Sequence, residues 1–194
     1  MSVPLIKITS GNNNLPDRLQ IQLGQGSVFW FTGLSGAGKT TLGKSFYNEL
    51  KKLHHAVVFL DGDELRKIMG EDLGFSMADR KKCALRYSRI CKCLSEQGID
   101  VVCTTISMFH EVREWNRKNI ENYIEIYIRV PKGILINRNS RNIYKNELGE
   151  SCDNVVGIDL PFEEPLAPDV IIANDGAHDA KEVVSQLVNV FKFK

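Results

Sequence analysis

Long apolar runs are missing from this chain. No stretch approaches the ~18 residues needed to span a bilayer, and the opening MSVPLIKITSGNNNLPDRLQ has no apolar signal-peptide core. An excess of either charge is missing too: 25 Lys and Arg stand against 24 Asp and Glu, a formal net charge of +1. That balance excludes binding to nucleic acid or a membrane surface through bulk charge, so any anion must be held by a local site. Cysteine is neither abundant nor paired. Cys83, Cys91, Cys93, Cys103 and Cys152 are odd in number and contain no CxxC step. They suit neither a disulfide framework nor a zinc cluster and are expected to be reduced thiols. Together these absences predict a cytoplasmic protein.

What is present is ordinary globular material: 194 residues, 43% hydrophobic and 25% charged, enough for one domain with a sizeable core. Residues 1–25 are polar, with Asn12, Asn13 and Asn14 in a row before Pro16, and are expected to form an N-terminal arm. The domain proper is placed at 26–194. Short apolar runs rich in β-formers predict strands at 27–32, 56–60, 100–106, 123–130 and 169–173. Helical spacing predicts helices at 39–53, 79–97, 112–119, 132–138 and 179–191. The strands are continuously apolar and alternate with the helices. That pattern predicts an α/β three-layer sandwich with a mostly parallel sheet, the fold of P-loop NTPases and kinases, with ligands gathered at the carboxyl ends of the strands.

The strongest motif is Gly33-Leu-Ser-Gly-Ala-Gly-Lys-Thr40, which matches GxxxxGK[ST] between a predicted strand and a predicted helix. Glycines let such a loop wrap phosphate oxygens with its N–H groups while the helix dipole faces the same anion. Gly33, Leu34, Ser35, Gly36, Ala37, Gly38, Lys39, Thr40 and Thr41 are therefore expected to hold ATP, with the Lys39 ammonium on the β- and γ-phosphates and the Thr40 hydroxyl on Mg²⁺. The second motif is Leu60-Asp-Gly-Asp63 at a strand end. Two carboxylates there are poorly placed for packing and well placed for proton and metal work. Asp63 is the candidate general base, and Asp61 the candidate outer-sphere Mg²⁺ or orienting group.

Arg66, Arg80 and Arg86, with Phe75 among them, offer guanidinium groups for an anionic acceptor and a stacking face for a base. Residues 139–156 form a long stretch without hydrophobic pattern and are the candidate lid, for which Arg138, Arg141 and Lys145 would supply the cation. Trp115 and Tyr123 are expected to pack, and His110 either touches substrate or stays at the surface.

Taken with their spacing, FWFTGLSGAGKTTL, LDGDELR, DLGFSMADR and GIDLPFEEPLAPD make the chain resemble the adenylylsulfate (APS) kinases over about residues 26–175. The resemblance implies a Mg²⁺- and ATP-dependent kinase acting on the 3′-hydroxyl of adenosine 5′-phosphosulfate, and a possible homodimer. It also puts Asp63, Arg66, Phe75 and Arg80 on substrate-binding positions, with Cys83, Ile106, Ser107 and Val155 completing that set. Four departures fall on the acceptor side: Cys83 replaces an asparagine, Leu85 an arginine, SPFR becomes Ser107-Met-Phe-His110, and a lid aromatic aligns with Val155. CTTISMFHEVREWNR is similar to the cytidine diphosphoramidate kinases, a branch of the family that serves bacterial capsule modification. Both acceptors stay open, the sulfate first because it is commoner in the family. A regulatory nucleotide-binding module would predict damage to Lys39, Thr40, Asp61 or Asp63, and all four are intact. An ATPase or GTPase would predict an acid at the end of the 100–106 strand, which closes instead on Thr104-Thr105-Ile106-Ser107.

Overall fold

The computed structural model describes residues 6–9, 24–53, 56–138, 156 and 161–191. Five strands are parallel: β2 (Val28–Thr32), β3 (Val57–Asp61), β4 (Asp100–Thr105), β5 (Tyr123–Arg129) and β6 (Val170–Ala173). A sixth, β1 (Ile6–Ile8), pairs antiparallel with β6, and the sheet order is β1-β6-β5-β2-β4-β3. The P-loop strand β2 is central, so both its faces are covered and all five of its residues are buried. Alternation along β2 divides the core in two. Phe29 and Phe31 pack with Leu42, Phe46 and Leu50 of α1 (Lys39–Lys52) and Val183, Val184, Leu187 and Phe191 of α6 (Ala180–Phe191). Val28 and Trp30 pack on the other face with Ala84, Tyr87 and Cys91 of α3 (Met77–Ser95) and Val112 of α4 (His110–Asn119). This is the expected three-layer sandwich.

Two elements are additional to the sequence expectation. α2 (Gly62–Met69) follows β3 without a loop. Its stripe is a single buried residue, Leu65, too little for a periodicity signal, and end chemistry defines it instead. The Asp61 side chain caps it by accepting from the Asp63 N–H at 3.0 Å, and acids in its first turn and bases in its last suit the helix dipole. Strand β1 lies within the 1–25 stretch read as an arm, and three residues are too few to show a pattern. α3 begins two residues earlier than expected because Ser76 caps it, its hydroxyl accepting from the Asp79 N–H at 3.1 Å. α5 (Lys132–Arg138) is as expected. Because the five strands run the same way, residues 33–40, 61–63, 106–110 and 174 emerge at one edge of the sheet.

Candidate active site

At that edge lies one cavity of about 700 Å³. The end expected to hold the nucleotide is made of backbone. Gly38 holds the left-handed conformation at φ 94° immediately before α1, and no side chain caps the helix, so its first-turn N–H groups face the cavity edge. A Cβ at Gly38 would also lie 2.7 Å from Asn174 Nδ2, which donates to Ala37 O at 2.8 Å and braces the loop from β6. Lys39 Nζ donates to Leu34 O at 2.8 Å, curling over the loop it is expected to serve. Arg138 also reaches this end, with Nη1 3.5 Å from Gly36 O and Nη2 3.2 Å from Asn174 O. Ser35, Gly36, Gly38, Lys39, Thr40 and Thr41 all line the cavity. Arg141 and Lys145 lie outside the described residues.

The two motifs meet at Asp61. Its Oδ2 accepts from the Thr40 hydroxyl at 2.8 Å and the Thr104 hydroxyl at 3.0 Å. Burial pushes this carboxyl up, but the hydrogen bonds from Thr40, the Asp63 N–H, Thr104 and the Glu64 N–H outweigh burial and hold it below the ordinary aspartate value. Gly62 is required by close approach, since a Cβ there would lie 2.8 Å from Thr104 O. Asp63 is exposed toward the same cavity. The donor set suits a hard, oxygen-ligated cation at Thr40: a hydroxyl with an ionised carboxylate behind it. Among the described residues no group of three His, Cys, Asp or Glu could hold a metal by itself, so a cation here would depend on phosphate and water oxygens as well.

The end expected to take the acceptor is made of side chains from separate elements: Arg66 of α2, Arg80, Cys83 and Tyr87 of α3, and Ile106, Ser107, Met108 and Phe109 after β4. The Cys83 thiol donates to the Tyr87 hydroxyl at 2.8 Å, which donates to Gly62 O at 3.1 Å, tying this wall to the Asp61–Asp63 turn. Burial and the neighbouring Cys83 push the Tyr87 hydroxyl far above its usual range. The Ser107 hydroxyl is buried without a hydrogen-bond partner among the described residues. Phe75 is 62% exposed and stands outside the cavity wall, with the Arg66 guanidinium 4.3 Å and that of Arg80 5.4 Å from its ring centre. Arg80 also donates to Phe75 O at 2.9 Å, and burial together with Arg66 lowers its pKa. Arg86 is not part of the site: it grips both carboxylate oxygens of Asp72, at 2.6 and 2.7 Å. Val155 lies outside the described residues, and its neighbour Val156 lines the cavity. Trp115 and Tyr123 pack in the core as expected, while His110 is absent from the cavity wall.

With this geometry in hand, the family model described as adenylylsulphate kinase matches residues 25–173. The chain belongs to the adenylylsulphate kinase family. A cytidine diphosphoramidate kinase from Campylobacter jejuni is 40% identical over 161 residues, covering 83% of this chain and 94% of that protein. A probable adenylyl-sulfate kinase from Bacillus subtilis is 36% identical over 170 residues, covering 87% and 86%. Among solved structures, a Mycobacterium tuberculosis APS kinase in complex with AMPPNP and APS superposes with a TM-score of 0.78 at 29% identity, covering 87% of this chain and 99% of that one.

Membership makes the chain a phosphotransferase of the P-loop kinase type. Within that frame, sequence reasoning missed Asn174 and Thr104. Asn174 directly follows the last strand, where the strand-end rule applies as much as it does at 106–110. Thr104 occupies the place where an ATPase would carry an acid, and its hydroxyl holds the acid supplied by the next strand. No helix among the described residues is long and apolar enough to cross a membrane. Cys83, Cys91, Cys93 and Cys103 are free thiols.

Proposed function

We propose that this member of the adenylylsulphate kinase family transfers the γ-phosphoryl group of ATP to the 3′-hydroxyl of cytidine 5′-diphosphoramidate. The observation that carries the reading is Cys83. The family resemblance puts an acceptor-binding asparagine at this position, whereas here a buried thiol spends its proton on Tyr87 and offers no amide to a base. A smaller base with fewer edge contacts suits such a wall, and the Campylobacter jejuni relative named for that acceptor is 40% identical.

In the proposed reaction the acceptor oxygen attacks the γ-phosphorus, the bond from that phosphorus to the β-phosphate oxygen breaks, and the hydroxyl proton passes to Asp63. Lys39 leaves Leu34 O to meet the charge developing on the transferring group, which little else in a dissociative transfer can stabilise. Arg138, already at the loop, adds a second cation there. Thr40 and Asp61 would hold Mg²⁺, which when bound neutralises phosphate charge. Arg66 and Arg80 take the acceptor's anionic groups.

Adenosine 5′-phosphosulfate is the second reading, supported by the retained Arg66, Phe75 and Arg80 and by the adenylyl-sulfate kinases at 34–37% identity. ADP release from MgATP, measured with each acceptor in turn at low micromolar concentration, separates the two. Fast turnover with cytidine 5′-diphosphoramidate alone is expected. Fast turnover with adenosine 5′-phosphosulfate alone replaces the first reading with the second.

A further inference from the structure

A buried charge network lies on the α4 side of the sheet. Glu125, in the middle of β5 and 2% exposed, faces Arg113 Nε at 3.4 Å and Arg117 Nη2 at 3.0 Å. Arg117 goes on to Asp169 at 3.1 Å and donates to Ala167 O at 2.7 Å. Arg113 Nη1 and Glu125 Oε1 are fully buried without a hydrogen bond among the described residues. Burial pushes the Glu125 carboxyl up against the pull of Arg113 and Arg117. Apolar packing would serve stability at least as well in such a place.

The same arginine does something that apolar packing would not. Arg113 Nη2 donates to Glu163 O at 2.7 Å and lies 2.7 Å from His110 Nδ1, a bond in which the imidazole nitrogen is the acceptor. Glu163 is tied to the same turn twice more: its N–H donates to Met108 O at 3.1 Å, and its carboxylate accepts from the His110 N–H. Met108, Phe109 and Pro161 line the acceptor end of the cavity. Arg117 and Arg129 hold the 161–168 segment at Ala167 and Glu164, but Arg113 also reaches the turn after β4.

We propose that Arg113, anchored on buried Glu125, is a positioning residue for the acceptor: it clamps the 161–168 segment against the 106–110 turn and so fixes the acceptor wall of the cavity. The proposal rests on the reading of this cavity as a kinase site. Arg113 touches neither reacting group, so its effect falls on acceptor binding and spares the nucleotide end.

The test is steady-state kinetics of Arg113→Lys and Glu125→Gln with whichever acceptor the unmutated enzyme uses. For Arg113→Lys the acceptor KM should rise about tenfold, the size of a misplaced positioning contact, with ATP KM and kcat within about twofold. Glu125→Gln keeps the shape and removes the anchoring charge, so it should move the same constant by about threefold. It carries the test if the lysine variant does not fold. Equal changes in both KM values, or a fall in kcat with an unchanged acceptor KM, overturn the proposal. Hydrogen exchange on the ligand-free Arg113→Lys or Glu125→Gln protein separates this outcome from failure of the functional reading. Faster exchange at 161–168 and 106–110 with 33–40 unchanged supports the clamp even if neither acceptor is phosphorylated. A uniform increase, or none, overturns it.

Discussion

The cavity end expected to take the nucleotide and the end expected to take the acceptor are built from different materials. The first is a contiguous run, 33–41, that presents mainly backbone, a helix end and one lysine. The second is assembled from α2, α3, the turn after β4 and residue 161, and it presents side chains. A backbone cradle depends little on which side chains surround it. A side-chain wall can change its preference one residue at a time. Of the departures that the family resemblance implies, Cys83 and Met108 fall in that wall, Leu85 and His110 stand outside it, Val155 lies outside the described residues, and none falls on Lys39, Thr40, Asp61 or Asp63.

The largest effects should come from the line where the two ends meet, and they should differ in kind. Lys39→Ala removes the cation proposed to meet the transferring group, and turnover should fall by on the order of 10³-fold or more. Asp63→Asn removes the proposed proton acceptor and should lower kcat by about 10²- to 10⁴-fold, while a titration with a fluorescent ATP analogue gives an unchanged Kd. Normal turnover by Asp63→Asn would remove the base assignment and leave the nucleotide end intact. Phe75→Ala should be milder and one-sided. The ring is 62% exposed, so folding loses little, and the expected change is a rise of about fivefold in acceptor KM with ATP KM unmoved. If ATP KM rises equally, the two ends are not separable and the comparison fails.

The same contrast governs what the sequence alone discloses. Contiguous chemistry is legible: GLSGAGKT and LDGD stand out by their spacing and meet at one cavity, and the continuous apolar runs give five of the six strands and the parallel sheet. Contacts between distant segments are not. Nothing in the spacing of Asn174 and Ala37 announces a bond across 137 residues, nor does that of Arg113 and Glu163 across 50. Helix α2 escaped a search for periodicity because it buries only Leu65, although the Asp61 cap and the acids after it were visible. Phe75 was readable as an aromatic near two arginines, but not that Arg66 already lies over its ring at 4.3 Å.

The smallest predicted effect tests whether the seam is held together before any ligand arrives. Asp61 joins the P-loop helix, β4 and α2 through Thr40, Thr104 and the Asp63 N–H, and these bonds favour its ionised form. Its pKa in the folded protein is therefore below the value of about 3.9 expected when unfolded. The unfolded chain then binds more protons in the interval between the two values, so stability rises with pH there. The Asp61 contribution is fully present above the unfolded value and is lost as pH falls through the lower folded one. In protein free of nucleotide and Mg²⁺, Asp61→Asn should lower Tm at pH 7 by a few degrees, because asparagine accepts fewer of these bonds. The gap should narrow steadily below about pH 4, where the unfolded chain takes up the proton first, and the narrowing ends once the pH is below the lower folded value, where the native carboxyl is protonated too. A gap of constant size down to pH 3 would mean that packing, and not the charge-assisted bonds, joins the two ends.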